Sequence, residues 1–338
     1  MTPRIRLGGF KILKGIRGFS TTGASSTECI PVEFCGLLAG AGVNLPFLVC
    51  AGNRKGLYAV FDGADEPRVA EQTSGRIALE PTPPEECAVL SLFPHRENPT
   101  ILSTFFRVLG RGKLHPRAVA LSHSAVTAVL PESEVDRAAE TLFEPFRFSS
   151  YRTPADWKMV RNENQVLYRE VVASYQEKRP GVYGVTWADG QILFRVRIAA
   201  DSLVELAGLI RDLTGEGPAP TFFAGFRDHA RGEFVVDFCR PSAAGLLSKR
   251  REAGRSALIE EQRSVCVLSM TGPHFGDRYG IAGELFAAFQ TAGISPAAVG
   301  CSVASIYAVI PEKQIRRALE AVAGRFEVPA VTRKEPPH

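Results

Sequence analysis

No stretch of the 338 residues approaches the ~18 consecutive apolar residues that a bilayer span requires, so no membrane partner is expected. Histidine is scarce, six in all, with no His-x-x-x-His spacing. The seven cysteines (Cys29, Cys35, Cys50, Cys87, Cys239, Cys266, Cys301) are an odd number and contain no Cys-x-x-Cys pair. A disulfide framework and a structural zinc site therefore lack their residues, and neither metal nor cofactor is expected. Charge of one sign is also missing: 40 basic against 36 acidic residues leave +4, too even to demand a polyanion. No Gly-x-Gly-x-x-Gly follows a strand, and no Walker loop or Gly-x-Ser-x-Gly elbow occurs. Cys301-Ser302 and Ser122-His123 offer nucleophile chemistry without a third member. On these grounds the chain reads as not an enzyme.

Apolar residues make up 45% and charged residues 22%, as in a globular chain able to bury a core. At ~150 residues per domain the length allows about two domains, or more if they are small. The first 27 residues carry five positive charges and no acid but no continuous apolar run, so a basic surface hairpin is expected rather than a signal peptide. Most cysteines lie in apolar runs such as Val265-Cys266-Val267-Leu268, where the thiol acts as a small hydrophobe. A reduced, cytoplasmic chain is expected.

Internal repetition is the strongest pattern. Ala128-Val-Leu-Pro-Glu132 returns 180 positions later as Ala308-Val-Ile-Pro-Glu312, and Pro116, Ala118 and Val119 return as Pro296, Ala298 and Val299. Val89-Leu-Ser91 reappears as Val267-Leu-Ser269, and Arg137-Ala138 as Arg317-Ala318. In the last copy a strand Val265–Met270 precedes a helix marked by Ile281, Leu285 and Phe289, with Gly293 at its C-cap. Two apolar runs, Ala297–Ser302 and Ser305–Ile310, lead to Pro311 as N1 of a second helix, and Phe326–Val331 closes the unit. Fainter copies centre on helices 34–41 and 203–210, followed by strand pairs 45–51 with 56–62 and 220–226 with 233–239.

The expected architecture is α+β: tandem ferredoxin-like βαββαβ units with antiparallel sheets of about four strands and helices on one face. The unit boundaries are 1–83, 84–152, 153–262 and 263–338. Units pair side by side into sheets of about eight strands, because pairing hides open strand edges.

The last unit also carries Gly272-Pro-His-Phe-Gly-Asp277-Arg278-Tyr279-Gly280-Ile281-Ala282, then Ala292-Gly293-Ile294 and Cys301-Ser302. It resembles ACT domains, specifically the paired ACT domains of the regulatory half of aspartate kinases, while the kinase's Lys-Phe-Gly-Gly-Thr signature is absent. The resemblance implies a non-catalytic, amino-acid-binding regulatory protein without a kinase domain. It also implies a homodimer, a regulated enzyme as partner, and lysine or threonine as ligand class. The alternative is a regulatory subunit or interaction module that has lost ligand binding.

Carried over by position, the ligand site comprises Asp277, Arg278, Tyr279, Gly280, Ile281 and Ala282 on the loop and Pro296, Ala297, Ala298 and Val299 on the second strand. A helix start offers unpaired N–H groups to a carboxylate, and Asp277 could hold an ammonium group or serve only as a cap. The second unit departs from the pattern, with Thr100 where Gly stands and Pro99 removing a donor. Ser20–Thr27 is a hydroxyl-rich loop, and Ala188-Asp189-Gly190 reads as a hairpin turn.

The βαββαβ order is shared with RNA-recognition motifs. Their stacking aromatics are missing from Lys55–Asp62 and mostly missing from Arg231–Phe238, so no nucleic-acid partner is expected.

Overall fold

The structure is a computed structural model, described here for residues 4–22, 30–51, 56–74, 82–94, 98–158, 179–214, 219–242, 257–273, 275–276 and 278–333. It is a mixed α/β fold with one large sheet and helices packed against it. Four times the chain runs strand, helix, strand, strand. The first unit is β2 (Gly9–Thr22), α1 (Ile30–Gly40), β3 (Phe47–Ala51) and β4 (Gly56–Asp62), followed by α2 (Glu66–Thr73). The second is β5 (Thr82–Phe93), α3 (Pro99–Arg111), β6 (Ala118–Leu121) and β7 (Val126–Pro131), followed by α4 (Glu132–Leu142). The third is β9 (Gly184–Ala199), α5 (Leu203–Thr214), β10 (Phe222–Asp228) and β11 (Glu233–Pro241). The fourth is β12 (Leu258–Thr271), α6 (Ile281–Thr291), β13 (Ala298–Ser302) and β14 (Ser305–Pro311), followed by α7 (Ile315–Arg325).

Each unit lays its strands in the spatial order first, third, second. Units then abut along like strands. β2 pairs with β5 and β9 with β12, first strand to first strand; β3 pairs with β13 and β6 with β10, second to second. All four seams are antiparallel, and the β9–β11 ladder completes the circuit. The twelve strands therefore close into a ring. The sequence led us to expect two separate eight-stranded sheets with four strands per unit; instead each unit gives three. β8 (Phe146–Phe148) leaves the ring to pair in parallel with β1 (Ile5–Leu7), and β15 (Val331–Arg333) lies parallel to β9 outside the circuit. Closure explains the difference, because it satisfies the second-strand edges that side-by-side pairing leaves open.

Three apolar cores follow. One lies inside the ring and gathers Phe47, Val60, Val129, Leu193, Phe222 and Val309 from all four units. Helices α1, α6 and α7 cover the outer face of units one and four, and α3, α4 and α5 cover units two and three. Strands β3, β6 and β13 are buried at every position because both their faces are covered. The two sides of the ring touch: a Cβ on Gly56 would clash with the ring of Phe226 on β10, so only glycine fits beneath it. Inside the ring, Arg195 is 7% exposed and Asp237 0%. The Arg195 Nε and Nη2 donate to Asp237 Oδ1 and Oδ2 at 2.9 and 3.0 Å, across the β9–β11 ladder.

Two local expectations are corrected. The basic amino-terminal stretch is not a surface hairpin: β1 departs to β8, and β2 is a long strand of the main sheet. Its cations are answered by acids, Lys14 by Asp136 and Arg17 by Glu66 and Glu86. Ala188-Asp189-Gly190 is not a turn between strands either. It lies within β9, where Gly190 (φ +62) shifts the pairing with β12, and a second irregularity beside Ser264 (φ +56) shifts it back. The pleat survives because the two irregularities compensate.

Candidate functional site

Helix α6 starts where the sequence places it. Ile281, Leu285 and Phe289 face the core and are nearly fully buried. Gly280 is its N-cap at φ +87, in the left-handed region that glycine enters without a Cβ penalty. No side chain caps this end. The first intrahelical bond runs from Glu284 N to Gly280 O at 2.8 Å, so the N–H groups of the first turn have no partner within the helix. They and the positive end of the helix dipole favour a carboxylate nearby.

Opposite this end stands α1 of the first unit. A Cβ built on Gly280 or Gly283 would lie 3.6 or 3.5 Å from Ala39 Cβ, so the two helices nearly touch. Between them is a narrow pocket. Unit one contributes Cys35, Ala39, Val43 and Leu45; unit four contributes Phe275, Arg278 and Gly280–Gly283, with Cys301 from β13. Its free space is about that of one water molecule. Burial pushes the Cys301 thiol up to about 12, which keeps that wall neutral. Asn44, between two lining residues, ties the units together: its Nδ2 donates to Gly276 O at 2.8 Å. Its Oδ1 is buried and accepts no hydrogen bond among the described residues.

The structure thus brings Arg278, Gly280, Ile281 and Ala282 together on one pocket. Tyr279 does not line it and is 37% exposed. Asp277 lies outside the described residues, as do His95 and most of the Ser20–Thr27 loop. The strand residues are not brought to this pocket. Ala297 and Ala298 belong to the core inside the ring, Pro296 is buried, and Val299 faces the outer core. The Val299 backbone is paired on both sides, with Ala308 of β14 and Cys50 of β3. The ring seam occupies the edge on which a ligand was expected to lie. Sequence reasoning missed the whole α1 wall and Asn44. A signal was present: Ala41-Gly42-Val43-Asn44 in unit one repeats the Ala292-Gly293-Ile294 step of unit four.

Elsewhere the chemistry is sparse among the described residues. No group of three or more His, Cys, Asp or Glu is placed to hold a metal, and no helix is long and apolar enough to cross a membrane. Six of the seven cysteines are described; all six are buried thiols outside any disulfide.

No protein-family model matches the sequence, and no curated protein matches it. Solved structures do match, and the class they define is an aspartate-kinase-like fold. The structure of aspartate kinase from Synechocystis aligns over 95% of this chain with a TM-score of 0.72 at 15% identity. This chain spans 56% of that enzyme's length. Regulatory subunits of aspartate kinase from Thermus flavus and Thermus thermophilus align over 41% and 42% of the chain, at 13% and 12% identity, each with a TM-score of 0.38.

The first comparison corrects the reading of the chain as an ACT-only regulatory protein, or interaction module, without a kinase and without catalysis. Over 95% of its length the chain follows a fold found within an aspartate kinase, of which it spans 56%. The expectation rested on several absent loop signatures and on a resemblance sharpest in the last unit. A missing motif speaks for a few residues, whereas the backbone path is compared over 95% of the chain.

Proposed function

We propose that this chain acts in aspartate-kinase chemistry, the transfer of phosphate from ATP to aspartate, and takes a free amino acid beside the start of α6. The observation that carries the first part is the likeness to an aspartate kinase over 95% of the chain. The second part rests on the α6 start, whose first-turn N–H groups have no partner within the helix and suit a carboxylate. The four strand–helix–strand–strand units are read as ferredoxin-like repeats of the ACT kind within this larger fold. Buried thiols outside any disulfide agree with a reducing, cytoplasmic setting.

Two measurements test the proposal separately. A coupled assay of ADP release with ATP is expected to give aspartate-dependent turnover that changes when the pocket is filled. Release that does not depend on aspartate would refute the kinase part. Calorimetric titration with a panel of twenty amino acids tests the site part. At ~100 times its dissociation constant, a ligand stabilises the fold by about 2.7 kcal/mol. A panel without binding would refute the site.

A further inference from the structure

The closed ring still carries strand edges that its own ladders do not fill, and one belongs to β12. That strand pairs with β9 on one side, but β14 joins its other side only from Val265 onward. Residues 258–264 therefore have a ladder edge with no strand on it among the described residues. All of them are exposed, Leu258 at 65% and Ile259 at 37%. An edge of this kind is a template for another strand.

The second unit treats the same place differently. There the stretch before Cys87, the first residue of β5 to pair with β7, contains Pro83 and Pro84. Proline offers no N–H, and on an edge it guards against strand addition. In β12 the stretch reads Leu258-Ile-Glu-Glu-Gln-Arg-Ser264, with a backbone donor at every position.

The charges of this stretch say what fits it. Glu260 and Glu261 stand toward one end and Arg263 toward the other. Arg263 Nη2 lies 3.6 Å from Glu261 Oε2, so these two share a face, while Glu260 reaches Arg195 at 3.7 Å. Two copies laid parallel and in register would set like charge against like. Laid antiparallel about a two-fold axis, the acidic end of each meets the basic end of the other. The strand is its own complement.

We propose that residues 258–264 are the contact surface for a second copy of this chain, the two β12 edges pairing antiparallel across a two-fold axis. The proposal depends neither on the kinase reading nor on the amino-acid site. A joint of one short strand buries less than the ~1,200 Å² of standard interfaces, so the dimer is weak and forms at micromolar concentration.

The test is sedimentation velocity of the full chain across the micromolar range, where a reversible monomer–dimer equilibrium is expected. Glu261→Arg and Arg263→Glu each give the shared face a single sign, and each is expected to weaken self-association at least tenfold. Mixing the two variants in equal amounts is expected to restore the dimer, because the basic face of one then meets the acidic face of the other. Both residues are exposed, so the urea midpoints of the variants should match that of the parent chain. A chain that stays monomeric throughout would overturn the proposal. A dimer that neither variant weakens would use another surface and would overturn it too. Weakening in both variants that mixing does not reverse would do the same.

Discussion

Arg195 and Asp237 form a bidentate pair inside the ring, and Arg195 also reaches Glu260, an exposed residue of β12, at 3.7 Å. Asp237→Ala leaves a buried guanidinium with Glu260 as its longer-range partner and should cost about 3 kcal/mol, read from urea unfolding. Replacing both residues by apolar ones of similar volume should cost far less, so the pair and single variants together separate charge from packing. At Gly56 the contact is steric. Gly56→Ala should cost about 2 kcal/mol through its clash with Phe226, and Phe226→Leu should relieve part of that cost in a double-mutant cycle. The thiols give a pH signature. Burial pushes Cys87, Cys266 and Cys301 from 9.0 up to about 12. As pH rises through 9 the unfolded chain sheds these protons while the folded chain keeps them. Their contribution is complete below pH 9 and is lost between pH 9 and 12. The urea midpoint should fall across that window, and less steeply in Cys301→Ala.

At the scale of elements, pattern and structure agree where a segment carries its own signal. Helix α6 was legible from Ile281, Leu285 and Phe289, and β13 and β14 from two apolar runs, because period and burial are local properties. The helix expected to start at Pro311 begins instead as a short 3-10 turn, Glu312–Gln314, before α7. Half the candidate pocket was legible too, through Gly280 and its neighbours. The α1 wall was not, because which helix faces α6 depends on a seam between residues far apart in sequence. The β9 bulge was invisible for a related reason: Asp189-Gly190 reads as a turn until a partner strand continues past it. The paired irregularities make a prediction. Deleting Gly190 alone slips one stretch of β9 by a residue and turns its apolar face the wrong way, so soluble yield should collapse. Deleting Ser264 as well restores the pairing, and the double deletion should recover a cooperative unfolding transition.

At the scale of the molecule, the repeats were legible and their closure was not. Nothing near Val299 or Cys50 announces that they are partners across β13 and β3, since an edge strand and a paired one carry the same apolar run. The ring spends internally the second-strand edges through which such units could meet another copy. A symmetric dimer would then need another surface. Residues 1–152 and 153–338, produced as separate chains, should each be poorly soluble. Expressed together they should recombine through the β3–β13 and β6–β10 seams, which size-exclusion chromatography with light scattering would detect.

The β3–β13 seam also sets a clock. It joins Phe47 to Ser302, so the first unit is complete long before its neighbour exists. At roughly 5–20 residues per second of synthesis, β3 waits on the order of 10–50 s on the ribosome with one ladder edge unfilled. Through that interval the nascent chain carries a hydrophobic strand edge that can join a neighbouring nascent chain in place of its own fourth unit. The same closure that leaves the mature molecule without a second-strand edge makes its birth the period of greatest exposure. Translation rate and chaperone occupancy, rather than equilibrium stability, should therefore govern how much of this protein a cell can accumulate.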